Sequence, residues 1–502
     1  MNENSTQGFT LDTAGSAPKL GHEIARAPKP EKRLPIDGRL VVVGCGTIGQ
    51  CILPMLLETF AVTPERISVI EAGDSRGALA GPIDEGLDYR TARLGPDNLA
   101  ETLGATAKPG DIVINLSVGV DSIDLADWCV AHGVCYLDTA IEPWEDAVND
   151  PSSHIAERTE YALHQRARQA GARWAKDSPT AVFTHGANPG LVSAFVKQAL
   201  LDLARALRLE IARPRDRDGW ARLAMATGTR VIHISERDSQ SSDRPRRPGE
   251  FVNTWSVPGF VEEAAMPGEI GWGTHERSLP PLANHHESGP RNTIFMAKPG
   301  GLIRLRSWVP MGGPIVGLML PHSECVTISD YLTVCEDGGL LYRPTVAFVY
   351  LPCDEALASL HETMMRDWRP QSRERVLNEE IVAGRDELGV LLLGHDLKAW
   401  WLGSQLDVHE GRELVPGNNP TAIQVAAGAL AACHWVARNR NRGYCEPEDL
   451  PHDEVLKVAR PYLGPMVSQP SDWTPFKGRQ QLFEEPWLDP SDPWQFTNFL
   501  VR

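Results

Sequence analysis

The run RLVVVGCGTIGQ at Arg39–Gln50 constrains the fold more than any other stretch of this chain. Leu40–Val43 predicts a buried strand, and the turn after it carries three glycines in a G-x-G-x-x-G spacing before a predicted helix. The first glycine of such a motif allows a tight turn, the second lets a pyrophosphate approach the backbone, and the third lets helix and strand pack closely. The run therefore predicts a dinucleotide site, with a ligand-free turn as the alternative. The residues expected to form it are Gly44, Gly46, Thr47, Ile48 and Gly49.

A second predicted strand, RISVIEAG at Arg66–Gly73, ends in an acid at the position of a ribose-binding residue. That residue, Glu71, favours NAD over NADP because a carboxylate binds the ribose hydroxyls and repels a 2′-phosphate. Arg76 lies close in sequence and leaves NADP open. Small residues at Asn115–Gly119, Ser117 among them, end a third strand where a cofactor would cross the sheet edge.

Apolar strands alternate with helices up to about residue 187, which predicts a parallel sheet covered on both faces. Short alternating strands split by Pro and Gly follow, while 238–299 shows little periodicity and is expected to be irregular. We therefore expect an α/β protein with a Rossmann-type doubly wound parallel sheet and a second α+β domain with a mixed or antiparallel sheet. The expected divisions are a mobile tail at 1–35, a dinucleotide-binding domain at 36–187 joined by a late helix at 420–437, a substrate, catalytic and dimerisation domain at 188–415, and a C-terminal wrapping segment at 438–502.

Composition excludes several classes of function. A net charge of -17 argues against a nucleic-acid partner, because phosphate binding needs a positive surface. No stretch of about 18 apolar residues predicts a membrane span. The nine cysteines are scattered without a CxxC pair, which is typical of reduced thiols in a cytoplasmic protein. No metal-ligand spacing stands out, and His285 and His286 are expected at the surface.

The candidate chemistry lies in the second half of the chain. Glu236 continues the apolar strand face of Ile232 and Ile234, which is unusual for a carboxylate unless it is paired or functional. Trp255 and Glu263 follow in NTWSVPGFVEEA. An aromatic ring flanked by carboxylates suits an organic cation, because charge pairing and the π face act together.

Each candidate also has a purely structural interpretation. Trp255 is one of 14 tryptophans, and most tryptophans serve packing. Asn188 in THGANPG either bonds a nicotinamide carboxamide or forms a plain Asn-Pro-Gly turn. His322 in LMLPHSE is either an active-site group or a satisfied core histidine.

The glycine run, NLSVGVDS, YLDTAIEPW, THGANPGLVS, ISERDSQ and NTWSVPGF occur in order and together resemble the bacterial homospermidine synthases of the saccharopine dehydrogenase-like group. The likeness extends from about Leu34 to the late helix. It implies a homodimer that holds NAD and joins two putrescine molecules into homospermidine. The first putrescine loses a hydride, the resulting imine is attacked by the second as ammonia leaves, and the new Schiff base recovers the hydride.

The resemblance also implies roles for individual residues. Trp255 would stabilise the iminium with its indole face, an effect of about 2 kcal/mol when desolvated. Glu236 and Glu263 would position and deprotonate the amines, and Asn188 would orient the nicotinamide. Glu142 in TAIEPW would hold the distal ammonium. Less distinctive matches are His322, Asp386 and Asp121.

Two rival functions stay open at this point. A related dehydrogenase acting on an amino-acid-type substrate would need arginines for the substrate carboxylates, and Arg304 and Arg306 alternate on one strand face. Such an enzyme would consume free NAD(P). A non-catalytic NAD-binding regulator would leave putrescine unchanged, and would leave Glu236 on its apolar face unexplained.

Overall fold

The computed structural model describes residues 21–25, 27–29, 32–147, 150–479 and 483–501. Most of the predicted tail at 1–35 lies outside these ranges. Its described part includes a short strand, so this portion of the tail is paired with the body of the protein.

The strands of the described residues form two large sheets and three two-stranded ones. In chain order they are β1 (His22–Ile24), β2 (Leu40–Val43), β3 (Ile67–Glu71), β4 (Asp88–Thr91), β5 (Ile112–Asn115), β6 (Cys135–Asp138), β7 (Ala181–Val182), β8 (Val231–Asp238), β9 (Ser241–Ser242), β10 (Glu250–Asn253), β11 (Pro267–Gly271), β12 (Ala283–His285), β13 (Thr293–Pro299), β14 (Arg304–Val309), β15 (Gly313–Leu320), β16 (Val334–Glu336), β17 (Gly339–Tyr342), β18 (Thr345–Leu351), β19 (Arg373–Val376), β20 (Ile381–Ala383), β21 (Arg385–Leu393), β22 (Ala399–Asp407), β23 (Tyr444–Cys445), β24 (Met466–Ser471) and β25 (Leu500–Val501).

The α-helices cover the faces of these sheets. In chain order they are α1 (Thr47–Thr59), α2 (Ala80–Asp84), α3 (Leu99–Gly104), α4 (Ser122–Ala131), α5 (Glu160–Gly171), α6 (Leu191–Ala206), α7 (Arg217–Ala226), α8 (Val257–Ala265), α9 (Ser323–Tyr331), α10 (Asp354–Met365), α11 (Val408–Leu414), α12 (Pro420–Arg438), α13 (His452–Ala459) and α14 (Phe496–Phe499).

The first large sheet is parallel throughout, in the order β23-β7-β6-β5-β2-β3-β4. The strand order reverses between β2 and β5, and such a reversal opens a crevice at the carboxyl ends of the two strands. All four residues of β2 are buried, because helices cover both faces. The predicted Rossmann-type doubly wound sheet is confirmed.

The second large sheet follows the path β1-β24-β22-β21-β8-β18-β11-β13-β12, with β14, β15 and β25 attached beside it. Its pairs are antiparallel except for β8 and β18, which run parallel. The predicted mixed sheet of a second α+β domain is confirmed. The expectation of an irregular stretch at 238–299 is wrong, since β10, α8, β11 and β13 lie there. These elements are too short, and too often interrupted by Pro and Gly, to show a period in the sequence.

The chain after residue 437, expected to wrap over the surface, supplies a strand to each large sheet. β23 extends the parallel sheet beside β7, and β24 pairs with β22. The late helix α12 packs against α1 and passes close to the loop before α6. A Cβ at Gly428 in α12 would lie 1.9 Å from the carbonyl oxygen of Gly186, so only glycine permits this approach.

No helix in the described ranges has the length and apolar character needed to cross a membrane. The expectation that His286 lies at the surface is wrong. Its side chain is buried, and its Nε2 lies 3.0 Å from Oε1 of the fully buried Glu269. A charged partner at that distance explains how the imidazole is accommodated in the core.

Candidate active site

A groove of about 480 Å³ lies at the carboxyl ends of β2, β3 and β5. At its centre the backbone of Gly44 has φ +88°, and a Cβ there would lie 2.7 Å from the carbonyl of Leu116. A Cβ at Gly46 would meet nothing within 4 Å, so this glycine faces open space. The turn can therefore admit a pyrophosphate directly against its backbone. Predicted residues that line the groove are Gly44, Gly46, Thr47, Ile48, Glu71 and Ser117.

Gly49 does not line the groove and serves packing instead. A Cβ at Gly49 would lie 2.5 Å from the carbonyl oxygen of Gly44, so the helix could not sit as close to the turn with any other residue. Glu71 ends β3 and accepts hydrogen bonds from the backbone N–H groups of Cys45 and Gly73. Its carboxylate is thereby held at the groove wall. Arg76 pairs with Asp74 at 2.9 Å and is absent from the described groove lining.

A second cavity of about 150 Å³ continues from the inner end of the groove. Ile48, Leu116, Ser117, Val118 and Ser256 line both spaces, so a dinucleotide in the groove would reach the second cavity with one end. The described lining of this cavity carries no arginine or lysine. Predicted residues brought together around it are Glu142, Asn188, Glu236, Trp255, Glu263 and His322.

Glu236 lies in β8, between β18 and β21, and is only 4% exposed. Asn188, in the loop before α6, donates a hydrogen bond of 2.7 Å from Nδ2 to Oε2 of Glu236. Burial raises the pKa of Glu236 to about 8; the Asn188 hydrogen bond opposes this shift and the charge of Asp238 adds to it. Asn188 therefore has a carboxylate partner in this structure.

Trp255 follows β10 and precedes α8. Its indole Nε1 donates a hydrogen bond of 3.2 Å to the hydroxyl of Tyr350. Phe260 packs against the indole at 5.6 Å between ring centroids, and a Cβ at Gly259 would lie 3.2 Å from its Cζ3. The ring is thus fixed on several sides and lines the cavity, where an aromatic group can contact a cation.

Glu263 near the end of α8 and His322 at the start of α9 are neighbours in the cavity lining. His322 Nε2 lies 3.7 Å from Oε1 of Glu263, and its Nδ1 lies 2.6 Å from Oε2 of Glu324. Burial alone would lower the pKa of His322, but the carboxylates of Glu324 and Glu263 outweigh it and raise the pKa well above its usual value. The His322 ring therefore lies between the carboxyl groups of Glu263 and Glu324.

Glu142 lies in the loop after β6, and its Oε2 accepts a hydrogen bond of 3.2 Å from the N–H of Gly119. Burial raises its pKa to about 7; the Gly119 bond acts against this, and the charges of Glu160 and Glu263 add to it. Burial also raises the pKa of Glu262 to about 9, together with the charges of Glu142, Glu160 and Glu263. Acidic side chains are thus concentrated on this side of the cavity, and a bound cation would favour their ionised forms.

The two remaining predicted residues lie outside the cavity lining. Asp386 in β21 is the register partner of Asp238 and accepts a hydrogen bond of 2.6 Å from Thr421, which does line the cavity. Asp121 caps α4, accepting from two backbone N–H groups, and pairs with Arg166 at 3.2 Å. Capping the helix is a structural role that accounts for an aspartate at this position. Arg304 and Arg306 are likewise absent from the described cavity lining.

Sequence reasoning missed three groups of this site. Tyr350 fixes the indole, Glu324 contacts His322, and the half-buried Glu160 accepts a hydrogen bond of 2.7 Å from Ser323. Glu324 stands two residues after His322, and this spacing was the available signal. Glu160 and Tyr350 come to the site through tertiary packing alone, with no local motif.

Two protein-family models match the chain. The saccharopine dehydrogenase NADP binding domain matches residues 40–182, and the saccharopine dehydrogenase C-terminal domain matches residues 186–471, more than half of the 502 residues. Fold and matches together define a protein of the saccharopine dehydrogenase type.

Relatives that match over more than 90% of the chain identify the family more closely. Homospermidine synthase of Blastochloris viridis is 43% identical over 472 residues, 93% of this chain and 98% of the relative. Homospermidine synthase of Mesorhizobium japonicum is 41% identical over 478 residues, 93% of this chain and 97% of the relative. The crystal structure of Legionella pneumophila homospermidine synthase in complex with NAD is 38% identical, with a TM-score of 0.88 over 94% of this chain and 100% of the other. The chain belongs to the homospermidine synthase family.

Proposed function

We propose that this protein is a homospermidine synthase that condenses two putrescine molecules into homospermidine and ammonia, with NAD as a redox-neutral prosthetic group. Family membership supports the reaction. The observation that carries it on this chain is a single cavity, contiguous with the dinucleotide groove, that joins Trp255 to Glu236 and Glu263 without an arginine or lysine in its described lining. Such a cavity favours an amine cation over a carboxylate substrate.

The groove residues fit a dinucleotide. The open backbone at Gly46 and the N-terminal end of α1 supply donors for a pyrophosphate, and the Glu71 carboxylate stands at the end of β3 where a ribose would lie. When bound, NAD supplies an acceptor for the hydride of the first putrescine and returns it in the last step. The matched N-terminal domain family is named for NADP binding; we propose NAD for this chain because Glu71 would repel a 2′-phosphate.

The carboxylates of the cavity prepare the amine. Putrescine is a dication in water, and its reacting carbon releases a hydride only when the neighbouring nitrogen is neutral. We assign Glu236 as the group that takes the proton from this nitrogen, because a carboxyl with a pKa of about 8 is a matched base for an ammonium. Glu142, on the opposite side, holds the distal ammonium, and Glu263 positions the amines between them.

Trp255 stabilises the charge that develops as the hydride leaves. The product of that step is an iminium cation, and an indole face fixed by Tyr350 and Phe260 needs no rearrangement to receive it. The second putrescine then attacks the carbon, ammonia leaves, and the new Schiff base is reduced.

Asn188, which donates to Glu236, orients that carboxylate and the nicotinamide end of the cofactor. Asp386 and Asp121 act from outside the cavity lining, Asp386 through its hydrogen bond from Thr421 and Asp121 through the cap of α4.

The saccharopine-type alternative is not favoured. A substrate with carboxylates would need Arg304 or Arg306 in the cavity, and Arg304 instead donates to the carbonyl oxygen of Gly301 at 2.6 Å.

We further propose a cytoplasmic homodimer acting on putrescine and other small polyamines, with the cofactor domain at 36–187, the late helix 420–437 joined to it, and the substrate domain at 188–415. All nine cysteines are free thiols, eight of them buried, which supports a reducing compartment. Light scattering of the purified protein tests the dimer, and a mass of 55.1 kDa at micromolar concentration would contradict it.

The reaction is tested by incubating the purified protein with putrescine and NAD and separating the amines by chromatography. We expect homospermidine and equimolar ammonia, with no lasting rise in absorbance at the NADH band. Accumulation of NADH with an aldehyde product would indicate a dehydrogenase, and unchanged putrescine would indicate a regulator. Either result contradicts the proposal.

A further inference from the structure

The imidazole of His322 lies in an environment with an unusual density of carboxylates. The titratable groups around it come from six segments of the chain: Glu142 from the loop after β6, Glu160 from α5, Glu236 from β8, Glu263 from α8, Tyr350 from β18, and Glu324 and Cys325 from α9. Of these groups, Glu324 makes the shortest contact, 2.6 Å between its Oε2 and Nδ1 of His322.

Glu324 differs from the other acids in its isolation from solvent and from the cavity. Its side chain is 0% exposed and is absent from the described cavity lining. Its second oxygen, Oε1, is buried without a hydrogen-bond partner in the described ranges. A buried carboxylate in this position is costly unless it faces a positive charge, and the His322 ring, at hydrogen-bond distance from it, can carry that charge.

We propose that Glu324 is a positioning residue that keeps His322 protonated and turns its Nε2–H toward Glu263. This inference rests on the proposed homospermidine synthase function. The two ring nitrogens of His322 thus contact two different acids, Nδ1 with Glu324 behind the ring and Nε2 with Glu263 in the cavity lining. A buried carboxylate behind a histidine fixes the tautomer and the orientation of the ring and stabilises its cationic form.

The arrangement has a consequence for the amine site. The His322 cation pairs with the Glu263 carboxyl group and holds it in place for the substrate ammonium, in a region that also contains Glu142 and Glu262. The positive ring also limits the repulsion among the surrounding carboxylates. Without Glu324, the buried ring loses its nearest negative charge, and burial then favours the neutral imidazole.

The first test is the pH dependence of kcat/KM for putrescine in Glu324→Gln, which keeps the shape of the side chain and removes its charge. The active form has a protonated His322, so activity is lost as pH rises through the pKa of the ring. Removing Glu324 lowers that pKa, and we expect the basic limb of the profile to move at least about one unit toward lower pH. At pH 6, the variant should stay within about three-fold of the wild type.

Two further variants separate positioning from folding. Glu324→Asp restores the charge, and we expect the basic limb to return to within about half a unit of the wild-type position. Glu269→Gln is the matched control, because Glu269 is also fully buried and lies 3.0 Å from a histidine, His286, outside the cavity. This control should leave the pH profile unshifted. An equal loss of activity at every pH in Glu324→Gln, or a shift in Glu269→Gln of the same size, would overturn the proposal.

The second test needs no activity. In protein labelled with ¹⁵N-histidine and saturated with NAD, the His322 resonances are identified by their loss in His322→Gln. We expect the imidazolium form at pH 8 in the wild type and the neutral form in Glu324→Gln. A neutral His322 at pH 7 in the wild type would overturn the inference even if no Glu324 variant folds. If the imidazolium is found and no homospermidine forms, the proposed function fails and the role of Glu324 in holding the proton stands.

Discussion

Burial raises the pKa values of the acidic side chains in and around this cavity. Glu236, Glu142 and Glu262 have pKa values raised to about 8, 7 and 9, in each case first by burial. Desolvation makes the carboxylates stronger bases and raises the free energy of their charged forms, so a substrate cation relieves the cost. Binding a diamine and preparing its proton transfer therefore follow from the same arrangement of acids.

The aromatic face of Trp255 is tested by graded substitution. Trp255→Ala removes the π face and should lower kcat/KM for putrescine by about 30-fold, the equivalent of about 2 kcal/mol. Trp255→Phe keeps a weaker face and should lose less, although it also loses the hydrogen bond to Tyr350. Tyr350→Phe removes that bond alone and serves as the control. Equal losses in the Phe and Ala variants would argue against a cation–π role.

The base role of Glu236 predicts a pH dependence with a definite sign. Its carboxyl must be deprotonated to accept a proton, so kcat/KM should rise with pH through an apparent pKa of about 8. In the profile of kcat, the same limb should lie at lower pH, because a bound ammonium favours the carboxylate. Glu236→Gln should abolish turnover and leave the NAD dissociation constant within about three-fold. A large loss of NAD affinity would contradict an amine-handling role.

Part of the site was predictable at this scale and part was not. Glu236 and Trp255 could be found because a carboxylate on an apolar strand face and an aromatic ring between acids both stand out in the sequence. Asp121 was predicted as a site residue from the family resemblance, but in the structure it caps helix α4. Glu160 and Tyr350 left no local signal, because packing of distant elements alone brings them to the cavity.

Among the elements, α12 sets the position of the loop that carries Asn188. Gly428→Ala would add a Cβ 1.9 Å from the carbonyl oxygen of Gly186, and helix and loop would have to separate. We expect a loss of about 1–3 kcal/mol in the free energy of unfolding, measured by denaturant titration.

Gly104→Ala, in α3, is the control for this prediction. A Cβ there meets nothing within 4 Å, so the substitution should be neutral or stabilising by up to about 1 kcal/mol. A Gly428→Ala variant as stable as the control would show that the close approach is not required.

Some elements could be predicted from the sequence and others could not. The unit β2–α1 and its glycines follow from neighbouring residues, so the dinucleotide-binding sheet was predictable. The pairing of β10 with β19 and of β23 with β7 joins segments more than 100 residues apart. No local period in the sequence reveals such pairs. For this reason the strand β10 was not predicted within 238–299.

The whole molecule couples an NAD groove to a cavity suited to cations. Ligand that binds only the native state raises the melting temperature with concentration. We expect NAD to stabilise the protein in a thermal shift assay, and NADP to need a concentration at least about ten-fold higher for the same shift, because Glu71 repels the 2′-phosphate. Glu71→Ala should narrow this difference. Equal stabilisation by the two cofactors in the wild type would contradict the assignment of Glu71.

In the proposed redox-neutral reaction, the hydride taken from one putrescine returns to the carbon it left. This return can be measured with putrescine deuterated at both terminal carbons, in a reaction that also contains unlabelled NADH in excess. We predict by mass spectrometry that homospermidine keeps all of its deuterium, because the cofactor in the groove does not exchange during turnover. Homospermidine that has lost one deuterium per molecule would mean that the hydride comes from solution, and the account of NAD as a resident group would be wrong.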